Sequence, residues 1–315
     1  MIRVATAVAA ALALSGCGAL GVGDPGGPGS GVTVVTAFYP LEYVVERVGG
    51  DLVDVENLTA PGGEPHDLSL SVRQTAEVAG ADLVVYLADF QTAVDDAVEQ
   101  TAEGEALEAG AVVDLEPAAE GHDHAEEETG EESGEDESHD HGPLDPHFWL
   151  DPLRMAELGD AVAASLGRVD GDHADAYSAN AAELRADLES LDTAYADGLS
   201  ACDRTTTVVS HDAFGYLAKY GLDMEPIAGL SPDAEPTPSD LAHLQEVVEE
   251  DGITTVFSER LASPRLTETL ADDMGIETAV LDPIEGLTDE TADEDYLSLM
   301  ESNLAALETA NGCAT

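Results

Sequence analysis

The sequence predicts an α/β protein of two lobes, each built on a parallel sheet, with one long helix joining them. Three observations predict it. Short apolar strands alternate with helical patterns in both halves of the chain. A single helical stripe of unusual length lies between the halves. The 315 residues, 43 % of them apolar, suit two packed domains better than one and leave no case for global disorder.

The elements follow in order. Val32–Thr36 reads as a strand, followed by a helix from Leu41 to Val48 and a strand at Leu52–Leu58. A helix over Ser71–Ala79, a strand at Leu83–Leu87, a helix over Thr92–Thr101 and a strand at Ala111–Leu115 complete the first lobe, 32–170. Its last helix is Leu153–Leu166. The linking helix, 171–200, places Tyr177, Leu184, Leu188, Leu191, Tyr195 and Leu199 on one face. At 1.5 Å per residue it is roughly 40 Å long, enough to span two lobes. The second lobe, 201–315, opens with a strand at Thr206–Val209, a helix over Ala213–Tyr220 and a strand at Asp223–Ile227. Pro238 opens a helix to Glu250, as proline does in a first turn. A strand at Ile253–Phe257, a helix over Pro264–Met274, a strand at Glu277–Leu281 and a helix over Glu294–Ala310 end the chain.

The N-terminus reads as an export signal. Residues 1–16 carry Arg3 and then an apolar stretch from Val4 to Leu14, too short to span a bilayer as a helix. The stretch ends in Leu14-Ser15-Gly16-Cys17, which resembles the bacterial lipobox, whose cysteine is lipidated after cleavage. Residues 17–31 then form a Gly- and Pro-rich tether with a reach of roughly 20 Å. The expected location is extracytoplasmic, with Cys17 anchored to the cell membrane through lipid. With Cys17 so used, Cys202 and Cys313 remain as a pair. An oxidising compartment favours their disulfide over two buried thiols.

Charge excludes one class of partner. Ten basic residues stand against 67 acidic ones, a formal charge of −57, so nucleic acid is not expected as a partner. Lys219 is the single lysine. Depletion of lysine with an excess of acids fits a protein that stays soluble at high salt. Residues 120–142 are low in complexity, with 11 acids and four histidines (His122, His124, His139, His141) between Glu120 and His141. No side chain there larger than alanine is apolar, so the segment reads as a mobile loop.

Four motifs read as lying just after predicted strands: Gly62-Gly63-Glu64-Pro65-His66-Asp67, Asp145-Pro146-His147-Phe148-Trp149-Leu150-Asp151-Pro152, Ser210-His211-Asp212-Ala213-Phe214 and Leu281-Asp282-Pro283-Ile284-Glu285-Gly286. Open α/β sheets bind ligands at the carboxyl ends of their strands. Three motifs present a histidine and the fourth a carboxylate, a donor set that suits Zn²⁺ in the cleft between the lobes. Each residue also has a plainer reading, as a hydrogen-bonded loop histidine or, for Asp282, a turn former. Tyr39, Phe148 and Trp149 read as core. His173 and His243 read as helix surface. Glu259 stands beside the site or is a solvated loop acid.

These motifs together resemble the zinc-specific branch of the metal-binding substrate-binding proteins of ABC transporters. The lipobox, the histidine-rich acidic loop and the long helix fit the same family. The resemblance implies two α/β lobes on a rigid helix with one buried metal, ligated by His66, His147, His211 and, at the family's acidic position, Asp282, with Glu64 as a fallback. It implies weaker auxiliary metal binding at His122, His124, His139 and His141. It implies a monomeric carrier that captures zinc and hands it to a membrane permease driven by an ATPase, with no catalysis. Manganese-specific relatives tend to place a carboxylate where His211 stands, which favours zinc over manganese as the cargo. A surface adhesin and a secreted zinc hydrolase are the rival readings, and the sequence lacks the His-Glu-x-x-His motif of one large hydrolase class.

Overall fold

The computed structural model describes residues 31–118, 144–232, 234 and 236–314. The signal segment, Cys17, the tether up to residue 30 and the four loop histidines lie outside them.

The first sheet contains β1 (Val32–Thr36), β2 (Val53–Asn57), β3 (Leu83–Tyr86) and β4 (Glu105–Glu108), all parallel, in the order β2-β1-β3-β4. The second contains β5 (Thr206–His211), β6 (Asp223–Ala228), β7 (Thr255–Ser258) and β8 (Glu277–Val280), also parallel, in the order β6-β5-β7-β8. The inner strands are apolar runs buried on both faces, such as Val34-Val35, Leu83-Val84-Val85 and Val208-Val209. The edge strand β2 alternates instead, with Asp54 and Glu56 turned to solvent. In both sheets the strand order reverses beside the first strand, which opens a crevice at the carboxyl ends.

Helices α1 (Tyr39–Gly49), α2 (Val72–Gly80), α3 (Thr92–Thr101) and α4 (Pro152–Val169) pack on the first half. Helices α6 (Pro238–Glu250), α7 (Arg265–Met274) and α8 (Tyr296–Asn311) belong to the second. Their starts are written locally. Ser71 with Gln74, Thr237 with Asp240 and Asp295 with Ser298 form reciprocal caps, and Asp151 caps α4 ahead of Pro152.

The linking helix α5 (Ala174–Gly198) buries Tyr177, Ala181, Leu184, Leu188, Leu191 and Tyr195. Early in the helix Asn180 donates to Val48 O of α1 (2.9 Å) and Arg185 to Ala156 O of α4 (3.1 Å). Near its end Tyr195 donates to Met300 O of α8 (2.7 Å). One helix thus grips both halves. Lys219 adds a second tie, with Nζ 2.7 Å from both Asp151 and Asp192.

Two local expectations are corrected. The fourth strand of the first sheet is Glu105–Glu108, not Ala111–Leu115. As an edge strand it needs only Leu107 in the core, so its charged neighbours hid it, while Ala109–Ala111 winds into a 3-10 turn. The segment read as a helix over Ala213–Tyr220 is a 3-10 helix, Gly215–Tyr220, stopped by Gly221 at φ 86°. Glycine alone takes that left-handed turn at no steric cost.

Cys202 and Cys313 are disulfide-bonded and close a loop of 111 residues. Beside them Ala314 N–H donates to Ala201 O (2.9 Å), so the tail is stitched to the start of the second lobe. Cross-linking a loop of this length restrains the unfolded chain by about 4–5 kcal/mol in the chain-entropy picture. The double variant Cys202→Ser/Cys313→Ser is expected to lower the unfolding free energy by about 2–5 kcal/mol in a denaturant titration. A loss below about 0.5 kcal/mol would show that the bridge adds nothing to the network around it.

Candidate metal centre

His66, His147, His211 and Glu285 converge, each offering one ligand atom, and these atoms all lie within 4.8 Å of one another. Glu285 Oε1 stands 3.2 Å from Nε2 of His66, 3.5 Å from that of His147 and 3.7 Å from that of His211. A tetrahedron with metal–ligand distances near 2.0–2.1 Å has edges of about 3.3 Å, so the carboxylate already sits at ligand spacing from all three rings.

Three of the donors end or follow a strand, and the fourth opens a 3-10 turn. His66 follows β2 through a turn in which Gly62, at φ 77°, donates its N–H to Leu287 O (2.7 Å). That bond ties the His66 turn to the Glu285 loop across the cleft. Gln91 steadies the same turn, donating from Nε2 to Thr59 Oγ1 and Pro65 O, both 3.1 Å away. His147 sits just before the 3-10 turn Phe148–Leu150. His211 is the last residue of β5, and Glu285 lies beyond β8.

Two rings have their second nitrogen fixed by a carboxylate. His147 Nδ1 lies 2.8 Å from Asp145 Oδ1, and His211 Nδ1 lies 2.5 Å from Glu259 Oε1. Ser210 Oγ also donates to Glu259. Such partners turn Nε2 toward the centre and raise its basicity. Glu259 therefore acts beside the site and is not a solvated loop acid; it is only 6 % exposed. The available sequence signal was its place just after a predicted strand, 253–257.

Burial makes the arrangement costly without a cation. His147 and His211 are fully buried and Glu285 is 1 % exposed. Nε2 of His147 and of His211 have no hydrogen-bond partner. Burial works against a charged His147, but Asp145 and Glu285 outweigh it and push its pKa up to about 9. Burial likewise works against a charged Glu285, yet His147 and His66 hold it well below the usual carboxylate range.

Asp282, the expected fourth ligand, is not part of this cluster. Its Oδ1 accepts from Ile284 N–H (2.8 Å) and its Oδ2 pairs with Arg260 Nε (3.0 Å), so both oxygens are engaged elsewhere. The carboxylate that faces the histidines comes three residues later in the same loop. Glu64, the fallback, accepts from the backbone N–H of His66 (3.2 Å) and lies outside the cluster too. Tyr39, Phe148 and Trp149 are core, as read. His173 pairs with Asp170 on the surface, and His243 is half-exposed.

Comparison with known proteins agrees with this geometry. The sequence pattern of the family described as ZnuA, zinc-uptake complex component A, periplasmic, matches residues 34–310. The zinc-binding lipoprotein AdcA of Streptococcus pneumoniae is 38 % identical over 281 residues, 88 % of this chain and 55 % of that protein. The chain thus spans about half the length of the streptococcal relatives it matches. The high-affinity zinc uptake system protein ZnuA of Bacillus subtilis is 34 % identical over 292 residues, 91 % of this chain and 89 % of that protein. Among solved structures, the Zn(II)-bound ZnuA-like domain of Streptococcus pneumoniae AdcA matches with a TM-score of 0.73 and 35 % identity, covering 89 % of this chain and 99 % of that one. The laminin-binding protein Lmb of Streptococcus agalactiae, described as having adhesin and metal-transporting activity, matches with a TM-score of 0.76 and 28 % identity over 89 % of this chain and 99 % of that one.

The raised pKa of His147 fixes the sign of a pH effect. In the metal-free protein its pairing contributes stability that is fully present below about pH 6.5 and is lost as pH rises through about 9. A cation must displace that proton, so affinity falls as pH falls. Calorimetry of Zn²⁺ binding near pH 7.5, in buffers of different ionisation enthalpy, is expected to register release of about one proton from His147. Heats independent of the buffer would mean that no imidazolium is displaced.

Proposed function

We propose that this chain, which belongs to the zinc-uptake complex component A family, captures Zn²⁺ outside the cytoplasmic membrane for import. One observation carries the reading. Three imidazoles and one carboxylate from the two halves of the molecule meet at ligand spacing, with two buried nitrogens that lack any other partner.

Three nitrogens and one oxygen suit zinc better than manganese, which prefers more oxygen ligands. His211 is the residue that sets this balance. Four protein donors complete a tetrahedral shell and leave no open position for water or substrate, the arrangement of a carrier and not of a hydrolase. Bound Zn²⁺ turns a ligand set of charge −1 into one of +1, offset by Asp145 and Glu259 behind the rings. The negative protein as a whole concentrates cations at its surface.

The remaining parts of the reading concern the membrane. Cys17 anchors the protein through lipid, the tether lets it reach a permease, and a cytoplasmic ATPase drives transport. His122, His124, His139 and His141 collect further zinc weakly. Deleting 120–142 is expected to leave one tight site and remove weaker ones; unchanged total stoichiometry would count against the collector role. The likeness to Lmb supports a second reading, in which the same surface also binds host matrix. Laminin binding that persists in His147→Ala would support it.

Titration of the metal-stripped protein with Zn²⁺ in competition with Mn²⁺ tests the main reading. One tight zinc per chain is expected, weakened by at least about 100-fold in His147→Ala, since a lost ligand costs more than a lost supporting partner. Preference for manganese would overturn the role given to His211.

A further inference from the structure

Asp282 is fixed more completely than an ordinary loop acid. It is 4 % exposed. Its backbone N–H donates to Asn303 Oδ1 (2.9 Å) and its carbonyl accepts from Asn303 Nδ2 (2.6 Å), which pins it to α8. Its Oδ2 is held by Arg260 Nε (3.0 Å), and Arg260 in turn reaches Glu290 (3.6 Å). Its Oδ1 accepts from the N–H of Ile284 (2.8 Å). From the opposite lobe Trp149 Nε1–H donates to Pro283 O (2.7 Å).

All of this surrounds a backbone outlier. Ile284 has φ 59°, and Ile284 and Asp89 are the two described residues other than glycine with positive φ. A β-branched residue enters the left-handed region only at a steric cost and stays there only if its neighbours hold it. Proline at 283 fixes its own φ, one residue before the strained one, and the Asp282 oxygen caps the N–H of Ile284, as Asx turns do. The next residue is Glu285, whose carboxylate stands 3.2–3.7 Å from three imidazole nitrogens. If Ile284 relaxed to negative φ, the chain direction at Glu285 would change and its carboxylate would leave the centre.

We propose that Asp282 is a positioning residue for Glu285, an inference that rests on the zinc-capture reading of that site. Its carboxylate, held by Arg260, locks the left-handed turn at Ile284 that aims Glu285 at the three histidines. Asp282 touches no metal. It decides whether the fourth ligand is present.

The test compares Glu285→Gln, Asp282→Ala, Asp282→Asn and Arg260→Gln in the full chain. Zinc affinity is read by competition, the absorption spectrum is read with Co²⁺ in place of Zn²⁺, and thermal melting of the metal-free form reports folding. Glu285→Gln is expected to weaken zinc and shift the Co²⁺ spectrum. Asp282→Ala is expected to lose about 10- to 100-fold in affinity, as loss of a supporting partner does, and to move its spectrum toward that of Glu285→Gln. Asp282→Asn keeps an oxygen for Ile284 N–H, and Arg260→Gln keeps the whole carboxylate, so both should fall between Asp282→Ala and the parent even if Asp282→Ala folds poorly. Wild-type affinity and spectrum in the Asp282 variants, with Glu285→Gln impaired, would overturn the positioning role alone. Wild-type behaviour in Glu285→Gln with a lost spectrum in Asp282→Asn would make Asp282 itself the ligand. Wild-type behaviour throughout would overturn the metal-site reading.

Discussion

Everything in this molecule turns on three imidazoles and a carboxylate buried against one another at the join of two lobes. A buried polar atom without a partner costs about 1–3 kcal/mol, and His147 and His211 each present one. A proton on His147 Nε2 faces Glu285 Oε1, 3.5 Å away, and relieves part of that cost. A divalent cation relieves all of it at once, because it satisfies every inward-facing donor. The same burial that leaves these nitrogens without a partner therefore strengthens binding, and the protein must hold the donors together.

That holding is done by contacts remote from the donors. The long helix α5 is bonded to α1 and α4 near its start and to α8 near its end. Trp149 of the first lobe donates to Pro283 of the second, and Tyr296 OH of α8 donates to Trp149 O (2.5 Å). Tyr216 OH of the second lobe donates to Asp145 O (2.8 Å), beside the carboxylate that orients His147. Residues next to the ligands in sequence thus bridge the lobes. Closure and ligand orientation are set by the same short motifs.

Much of this was legible in the sequence because it is encoded locally. The boundaries of Val32–Thr36, Thr92–Thr101 and Pro238–Glu250 follow from apolar runs, helix-forming stretches and caps, and the structure keeps them unchanged. His66, His147 and His211 were legible because each stands beside Gly or Pro or at a strand end. What was missed depends on tertiary context. An edge strand with a single buried leucine gives almost no period-2 signal, so β4 went unseen. Asp282 and Glu285 lie in one loop, and sequence spacing gives no reason to prefer one as a ligand. Arg260, Asn303 and Trp149 hold that loop from three other parts of the chain. The left-handed turn at Ile284 carries no sequence mark at all, because nothing about isoleucine announces it.

The charge distribution separates attraction from selection. The chain carries 67 acidic residues, yet among the described ones a single carboxylate belongs to the donor cluster. If acidity chose the cation, a site rich in oxygen would favour calcium, magnesium or manganese, which are hard ions. The buried donors are instead three parts nitrogen, and the two nearest supporting acids, Asp145 and Glu259, contact the rings through Nδ1, on the side away from the centre. The acidic surface raises the local concentration of every cation alike, over a range that salt cuts to about 10 Å. Discrimination is left to the imidazoles, inside a volume that salt does not screen. A protein of such extreme charge can keep its selectivity in a saline medium only if the two tasks are divided in this way.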